Sequence, residues 1–217
     1  MKIRVLVADD HAIIREGLRV MLGNQPDMEV VAVATNGREA IRLVDEHDLD
    51  VAVMDVSMPE LNGIEAIQQI MPRHPQLEVV VLSIHDTKPY VFRALKAGAR
   101  GYLIKETAGL EVVDAVRAVH RGERYLSQRI ADLLTEPSFR KLDSLMEDGP
   151  LEALSPRERE ILQLVAEGRT SQEIGERLSI SPKTVDTYRS RLMQKIRVDD
   201  LAGLVKFAIQ HGVISLE

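Results

Sequence analysis

The chain has 217 residues, with 28 Lys+Arg against 34 Asp+Glu and a net charge of −6. That length holds one large domain or two small ones, and the charge balance is not that of a protein coated with cations. Hydrophobic residues at 45% and charged residues at 29% exclude disorder, and aromatics at 3% with no Trp exclude an aromatic platform for single-stranded nucleic acid. The lack of cysteine excludes disulfides, a thiol nucleophile, iron–sulfur clusters and cysteine zinc sites. No apolar run reaches the ~18 residues of a membrane span, and Met1–Ala8 is too short for a signal peptide before Asp9 and Asp10 interrupt it. A cytoplasmic protein with no membrane partner is the expectation.

Apolar runs at Ile3–Ala8, Val30–Ala34, Asp50–Met54, Glu78–Ile84 and Gly101–Ile104 read as strands. Helical spacing fills the gaps at Ala12–Leu22, Arg38–Val44, Gly63–Met71, Pro89–Ala97 and Leu110–His120. Strands regularly alternating with helices predict a five-stranded parallel sheet, doubly wound, over residues 1–122. Residues 123–150 carry the breakers Glu136-Pro137-Ser138 and Glu147-Asp148-Gly149-Pro150 around weak helical signals (Ile130, Leu133, Leu134; Leu142, Leu145, Met146). They read as a partly helical linker. Residues 151–217 show no strand pattern and predict four short helices. Ser155-Pro156-Arg157-Glu158 is a capping-box signature, Thr170 to Glu173 repeats it, and Ser181-Pro182 and Asp199/Asp200 open the last two.

In an open parallel sheet, ligands bind at the carboxyl ends of the strands. Asp9 and Asp10 end strand one, Asp55 ends strand three, Ser83 ends strand four and Lys105 follows strand five. Carboxylates gathered there repel unless a cation joins them, and hard oxygen ligands at a water-accessible site suit Mg²⁺. A carboxylate beside Mg²⁺ and a lysine can attack phosphorus, with Ser83 and Lys105 meeting phosphoryl oxygens.

Val7-Ala8-Asp9-Asp10-His11, Val53-Met54-Asp55-Val56-Ser57-Met58-Pro59, Val81-Leu82-Ser83 and Lys96–Lys105 resemble the receiver domain of two-component response regulators, which has a flavodoxin-like fold. The resemblance implies that a histidine kinase phosphorylates Asp55. It further implies that Asp10, Asp55 and the Ser57 backbone carbonyl bind Mg²⁺, with Asp9 acting through a water. Ser83 and Tyr102 are the implied switch pair, Tyr102 changing rotamer on the outer face. The chain departs from the common pattern in having Ser83 in place of Thr, and Glu106 in place of the Pro that often follows the lysine. His11 reads as a helix-start residue, and Gly63, Gly98 and Gly101 as turn residues.

Residues 151–217 carry ten side chains of each sign, yet Lys183–Arg197 holds five basic residues against Asp186 alone. Thr170–Ile196 reads helix, turn, helix. Val185, Leu192 and Ile196 form an inward stripe, leaving Lys183, Thr184, Thr187, Arg191 and Lys195 to solvent, flanked by Arg189 and Ser190. Such a helix suits the major groove of double-stranded DNA. Leu154–Leu162, Ala166-Glu167-Gly168, Gln172–Gly175, Leu178 and Ser181–Arg189 resemble the LuxR-type helix-turn-helix domain. By position, that resemblance implies that Asp186, Thr187 and Ser190 read bases and that Lys183, Thr184, Arg189 and Arg191 meet phosphates; Tyr188 stands where His is common. Leu201, Leu204, Val205 and Ala208 form a stripe that fits domain core or a dimer contact.

Together the two resemblances are those of the NarL/FixJ group. The expectation is a DNA-binding transcriptional regulator, not an enzyme. Phosphorylation would release a contact between its domains and favour a homodimer on two half-sites. The competing readings are a constitutive DNA-binding regulator, against which the intact acidic set argues, and an aspartate phosphatase, for which no substrate pocket is evident.

Overall fold

The computed structural model describes residues 1–135 and 149–214. They form two compact units, one on either side of residues 136–148. The expected signals at Leu142, Leu145 and Met146 lie outside the described residues.

In the N-terminal unit the strands are β1 (Ile3–Ala8), β2 (Met28–Ala34), β3 (Val51–Asp55), β4 (Glu78–Ser83), β5 (Gly101–Ile104) and β6 (Tyr125–Leu126). The helices are α1 (Ala12–Gly23), α2 (Gly37–Glu46), α3 (Gly63–Ile70), α4 (Lys88–Ala97), α5 (Ala108–His120) and α6 (Gln128–Thr135). The sheet order is β2-β1-β3-β4-β5-β6, and every pairing is parallel. The doubly wound architecture is the expected one, with six strands instead of five. The sixth was missed because two residues carry no periodicity. Tyr125 and Leu126 pair with Gly101 and Tyr102, and Ile130 of α6 is fully buried against the sheet. The first part of the expected linker therefore packs onto the N-terminal unit.

Strand alternation divides the core in two. Leu6, Ala8, Ala52, Met54, Val79 and Val81 face the layer of α2, α3 and α4. Val5, Val7, Val51, Val53, Val80 and Leu82 face α1 and α5. With both faces covered, the strands read as continuous apolar runs. Each fully buried Leu or Val contributes about 1.5–3 kcal/mol.

Gly98, at φ 115°, closes α4 in the left-handed region, as a turn glycine should. Gly63 is not a turn glycine. It opens α3, and a Cβ there would lie 1.9 Å from the Asp55 carbonyl oxygen, so close backbone approach demands it.

The C-terminal unit contains α7 (Pro156–Ala166), α8 (Ser171–Leu178), α9 (Pro182–Ile196) and α10 (Leu201–Gln210). Complete capping boxes at Ser155/Glu158 and Thr170/Glu173 start α7 and α8, and Ser181 and Asp200 cap α9 and α10. Ile161, Leu164, Ile174, Val185, Leu192, Leu204 and Ala208 are fully buried in one core. The α10 stripe splits: Leu204 and Ala208 join that core, whereas Leu201 is exposed and Val205 half-buried.

Candidate phosphoacceptor site and DNA-facing helix

Strand order reverses between β1 and β3, which opens a crevice at their carboxyl ends. The register Ala8↔Met54 brings Asp9 and Asp55, one residue further on each strand, side by side there. Ser83↔Ile104 places Lys105 just beyond Ser83, and the Lys105 N–H donates to the Ser83 carbonyl at 2.9 Å.

Lys105 Nζ lies 2.7 Å from Asp55 Oδ2 and 2.8 Å from Asp9 Oδ2. Asp55 Oδ1 accepts from the Ser57 N–H at 3.2 Å. Burial pushes the Asp55 carboxyl up to about 6; the Lys105 ammonium pulls the other way, and Asp9 adds to the rise. Burial also works against the Lys105 ammonium, but Asp55 and Asp9 outweigh it and hold its pKa above the ordinary value. Ligand atoms of Asp9, Asp10, His11 and Asp55 lie within 4.8 Å of one another. Three crowded carboxylates with a single lysine between two of them make a donor set that fits a hard divalent cation.

Ser83 is fully buried, and its Oγ accepts from the His85 N–H at 2.9 Å. Tyr102 is not on the outer face. Its ring is fully buried, and its hydroxyl donates to the His85 carbonyl at 2.7 Å. Burial raises the Tyr102 phenol above its usual range. The Lys105–Glu106 peptide, like every other described, is trans.

The sequence reading passed over His85. Its Nε2 lies 3.1 Å from Ser57 Oγ, and its ring stacks on Tyr90 with centroids 4.0 Å apart. Burial lowers its pKa, which favours the neutral imidazole. It sits two residues past the end of β4, and the strand-end rule that selected Ser83 extends to it. Asp86, next in sequence, forms an ion pair with Arg129 of α6. Arg15 was also missed: its Nη1 donates to the carbonyls of Asp9 at 2.7 Å and Asp10 at 3.3 Å.

On α9, Val185, Leu192 and Ile196 are buried as expected. Lys183, Asp186, Thr187, Ser190 and Arg191 are exposed, while Thr184 and Arg189 are half-buried. Several of these side chains have internal partners. Asp186 Oδ1 accepts from Ser171 Oγ at 2.6 Å, joining α9 to α8. Thr187 and Ser190 donate to carbonyls one turn back, Lys183 and Asp186, at 2.9 Å. Thr184 Oγ1 lies 2.8 Å from Ser181 Oγ.

Lys195 is exposed, as expected, but its amine also has internal partners. Its Nζ lies 2.7 Å from Glu158 Oε2 and donates to the Ala153 carbonyl at 3.3 Å. Burial opposes the Glu158 charge, but Lys195 and the Ser155 backbone and hydroxyl hold that carboxyl below its ordinary pKa. Lys195 thus ties α9 to the start of α7.

Among the described residues no helix is long and apolar enough to cross a membrane. Residues 5–117 match the response regulator receiver domain family, and residues 152–208 match the bacterial regulatory proteins of the luxR family. The chain is 36% identical to the transcriptional regulatory protein DegU of Brevibacillus brevis, covering 99% of this chain and 96% of DegU. It is 37% identical to the response regulator GacA of Pseudomonas aeruginosa, covering 98% of each. The solved complex of the two-component response regulator RcsB with DNA is similar at a TM-score of 0.59 and 26% identity, over 97% of this chain and 99% of that one. These matches agree with the acidic crevice in the N-terminal unit and the helix-turn-helix in the other: the chain belongs to the two-component response regulators of the NarL/FixJ group, a receiver domain joined to a LuxR-type DNA-binding domain.

Proposed function

We propose that the Asp55 carboxylate takes a phosphoryl group from the phosphohistidine of a sensor kinase in the cytoplasm. A P–O bond forms at Asp55, the P–N bond breaks and the imidazole leaves. The observation that carries this reading is Asp55 held beside Asp9 by one lysine at the strand-order reversal. Asp10, Asp55 and the Ser57 carbonyl would hold Mg²⁺, with Asp9 acting through a water. Bound there, the ion neutralises negative charge on the phosphoryl group. Lys105 meets one phosphoryl oxygen, and the Ser83 hydroxyl turns from the His85 N–H to meet another. That movement removes the acceptor of the His85 N–H, and the His85 carbonyl holds the Tyr102 hydroxyl. Serine and tyrosine therefore move as a pair. The output is domain release and a homodimer on double-stranded DNA, without turnover of an external substrate.

The full chain, incubated with Mg²⁺ and a small-molecule phosphodonor, will gain the mass of one phosphoryl group. It will then bind its DNA more tightly and shift toward a dimer in size-exclusion chromatography with light scattering. No uptake from the donor or from a cognate kinase overturns the phosphoacceptor reading and favours constitutive DNA binding.

On the DNA side, Lys183, Thr184, Arg189 and Arg191 meet phosphates, and Asp186, Thr187 and Ser190 face the bases. Replacing Lys183 and Arg191 together with alanine will lower the slope of log affinity against log salt by about 2 per protomer, about 4 for the dimer. Lys195→Ala will leave that slope unchanged, because Lys195 is engaged with Glu158. It will instead lower stability by up to about 1 kcal/mol, since the pair is partly exposed. Titration of fluorescent duplex DNA over a salt series, with urea unfolding of the same variants, checks both statements.

A further inference from the structure

His11 occupies the N-cap of α1 without capping it. The position has extended backbone, φ −77° and ψ 109°, and its side chain makes no hydrogen bond to the helix amides. Short oxygen-bearing side chains serve that task, and imidazole does not. The ring lies over the acidic loop instead. Its Nδ1 is 2.8 Å from Asp10 Oδ1 and 3.4 Å from Asp9 Oδ1, and the His11 backbone N–H donates to Asp9 Oδ1 at 2.8 Å.

The three carboxylates are not equally restrained. Lys105 pairs with Asp9 and Asp55, and both are buried. Asp10 is part-exposed, with 27% of its side chain accessible, and the group against its Oδ1 is the His11 ring. One turn further along α1, Arg15 clasps the backbone of the same loop through the Asp9 and Asp10 carbonyls. Helix α1 thus holds both the backbone and the carboxylate of the residue assigned as cation ligand.

Asp10 Oδ1 is buried and accepts no hydrogen bond. We infer that His11 is a positioning residue for the divalent-cation site: its ring, with Nδ1 against Asp10 Oδ1, shields that oxygen and sets the carboxylate so that the other oxygen is left for the ion. This rests on the reading of Asp9, Asp10 and Asp55 as that site. His11 is not itself assigned as a ligand. Groups packed against ligating side chains orient them, and losing such a partner typically weakens metal binding 10–100-fold.

Three variants of the full chain separate positioning from helix capping. His11→Ala removes both the ring and any cap. His11→Ser supplies a good cap without the ring, and His11→Asn puts a planar polar group where Nδ1 stood. Binding of Mg²⁺ is measured by calorimetry and of Mn²⁺ by the electron paramagnetic resonance of the free ion, with thermal unfolding followed in metal-free buffer. His11→Ala and His11→Ser will each bind Mg²⁺ about tenfold more weakly than wild type. His11→Asn will stay close to wild type, and His11→Ser will be at least as stable as wild type.

Wild-type Mg²⁺ affinity in His11→Ala overturns the inference. So does weak binding in His11→Ala with full recovery in His11→Ser, which is the signature of a cap. Asp10→Asn is the control for the underlying site: if it binds Mg²⁺ like wild type, the cation does not sit on Asp10 and the site reading itself fails, whatever the His11 variants do.

Discussion

Asp55→Asn will take up no phosphoryl group and, at pH 7 in metal-free buffer, will make the N-terminal unit more stable than wild type. The amide cannot act as the nucleophile, so loss of uptake is complete. The stability gain follows from burial. The folded-state pKa of Asp55 is raised to about 6 from an ordinary value of 3.8. A carboxyl with a raised pKa binds its proton more tightly in the folded chain than in the unfolded one. Stability from this group is therefore greatest below about pH 4, falls as pH rises from about 4 to 6, and is flat above. The whole fall amounts to at most about 3 kcal/mol, for a displacement from 3.8 to about 6. Asparagine carries no charge and escapes it; its single oxygen still accepts from Lys105, while its NH2 group replaces the oxygen that faced the Ser57 N–H. Urea unfolding of both proteins from pH 4 to pH 8 checks the sign. Equal stability at pH 7, or a wild-type curve that rises through the window, would sink the argument.

Arg93→Ala will cost roughly 3–5 kcal/mol, with loss of cooperative packing between α3 and α4. Arg93 Nη2 lies 3.0 Å from Glu65 Oε1, and both side chains are almost wholly buried, at 4% and 2% exposure. Removing the guanidinium takes a charged partner from a carboxylate buried in the core. Glu65 stands in the first turn of α3, where its N–H is capped by Asn62, so the damage falls beside the phosphoacceptor loop. Replacing both partners with apolar residues, Glu65→Leu with Arg93→Met, removes the charges together and will recover most of the loss. Calorimetry of the full chain separates the cases. A small effect of Arg93→Ala, or a double variant worse than the single, would show that the pair is not what joins the two helices.

The core of the candidate site was legible because it obeys a topological rule. Side chains at the carboxyl ends of parallel strands converge, so Asp9, Asp55, Ser83 and Lys105 could be gathered without coordinates. Arg15 and His11 were not legible in that role. His11 stands at the N-cap of α1 and Arg15 one turn on, and helical periodicity reports which side of a helix is apolar, not which loop a polar side chain reaches. His85 was hidden similarly, since its partners Ser57, Tyr90 and Tyr102 come from three other segments. Lys195 is exposed as its spacing implied, yet it has a partner that the spacing did not show. Its helical position is exposed, but its length lets Nζ return to Glu158 on α7, an option that sequence spacing does not encode.

By itself the amino-acid sequence determined the alternation of strands and helices, the four capped C-terminal helices and the residues gathered at the strand ends. Those features follow from periodicity, capping chemistry and strand polarity, all of which act over a few residues. Tertiary structure alone decided that Tyr125 and Leu126 extend the sheet, that Tyr102 turns inward onto the His85 carbonyl, and that Glu65 and Arg93 meet inside the protein. Those outcomes turn on contacts between segments distant along the chain, where a buried polar group takes whichever partner the packing presents.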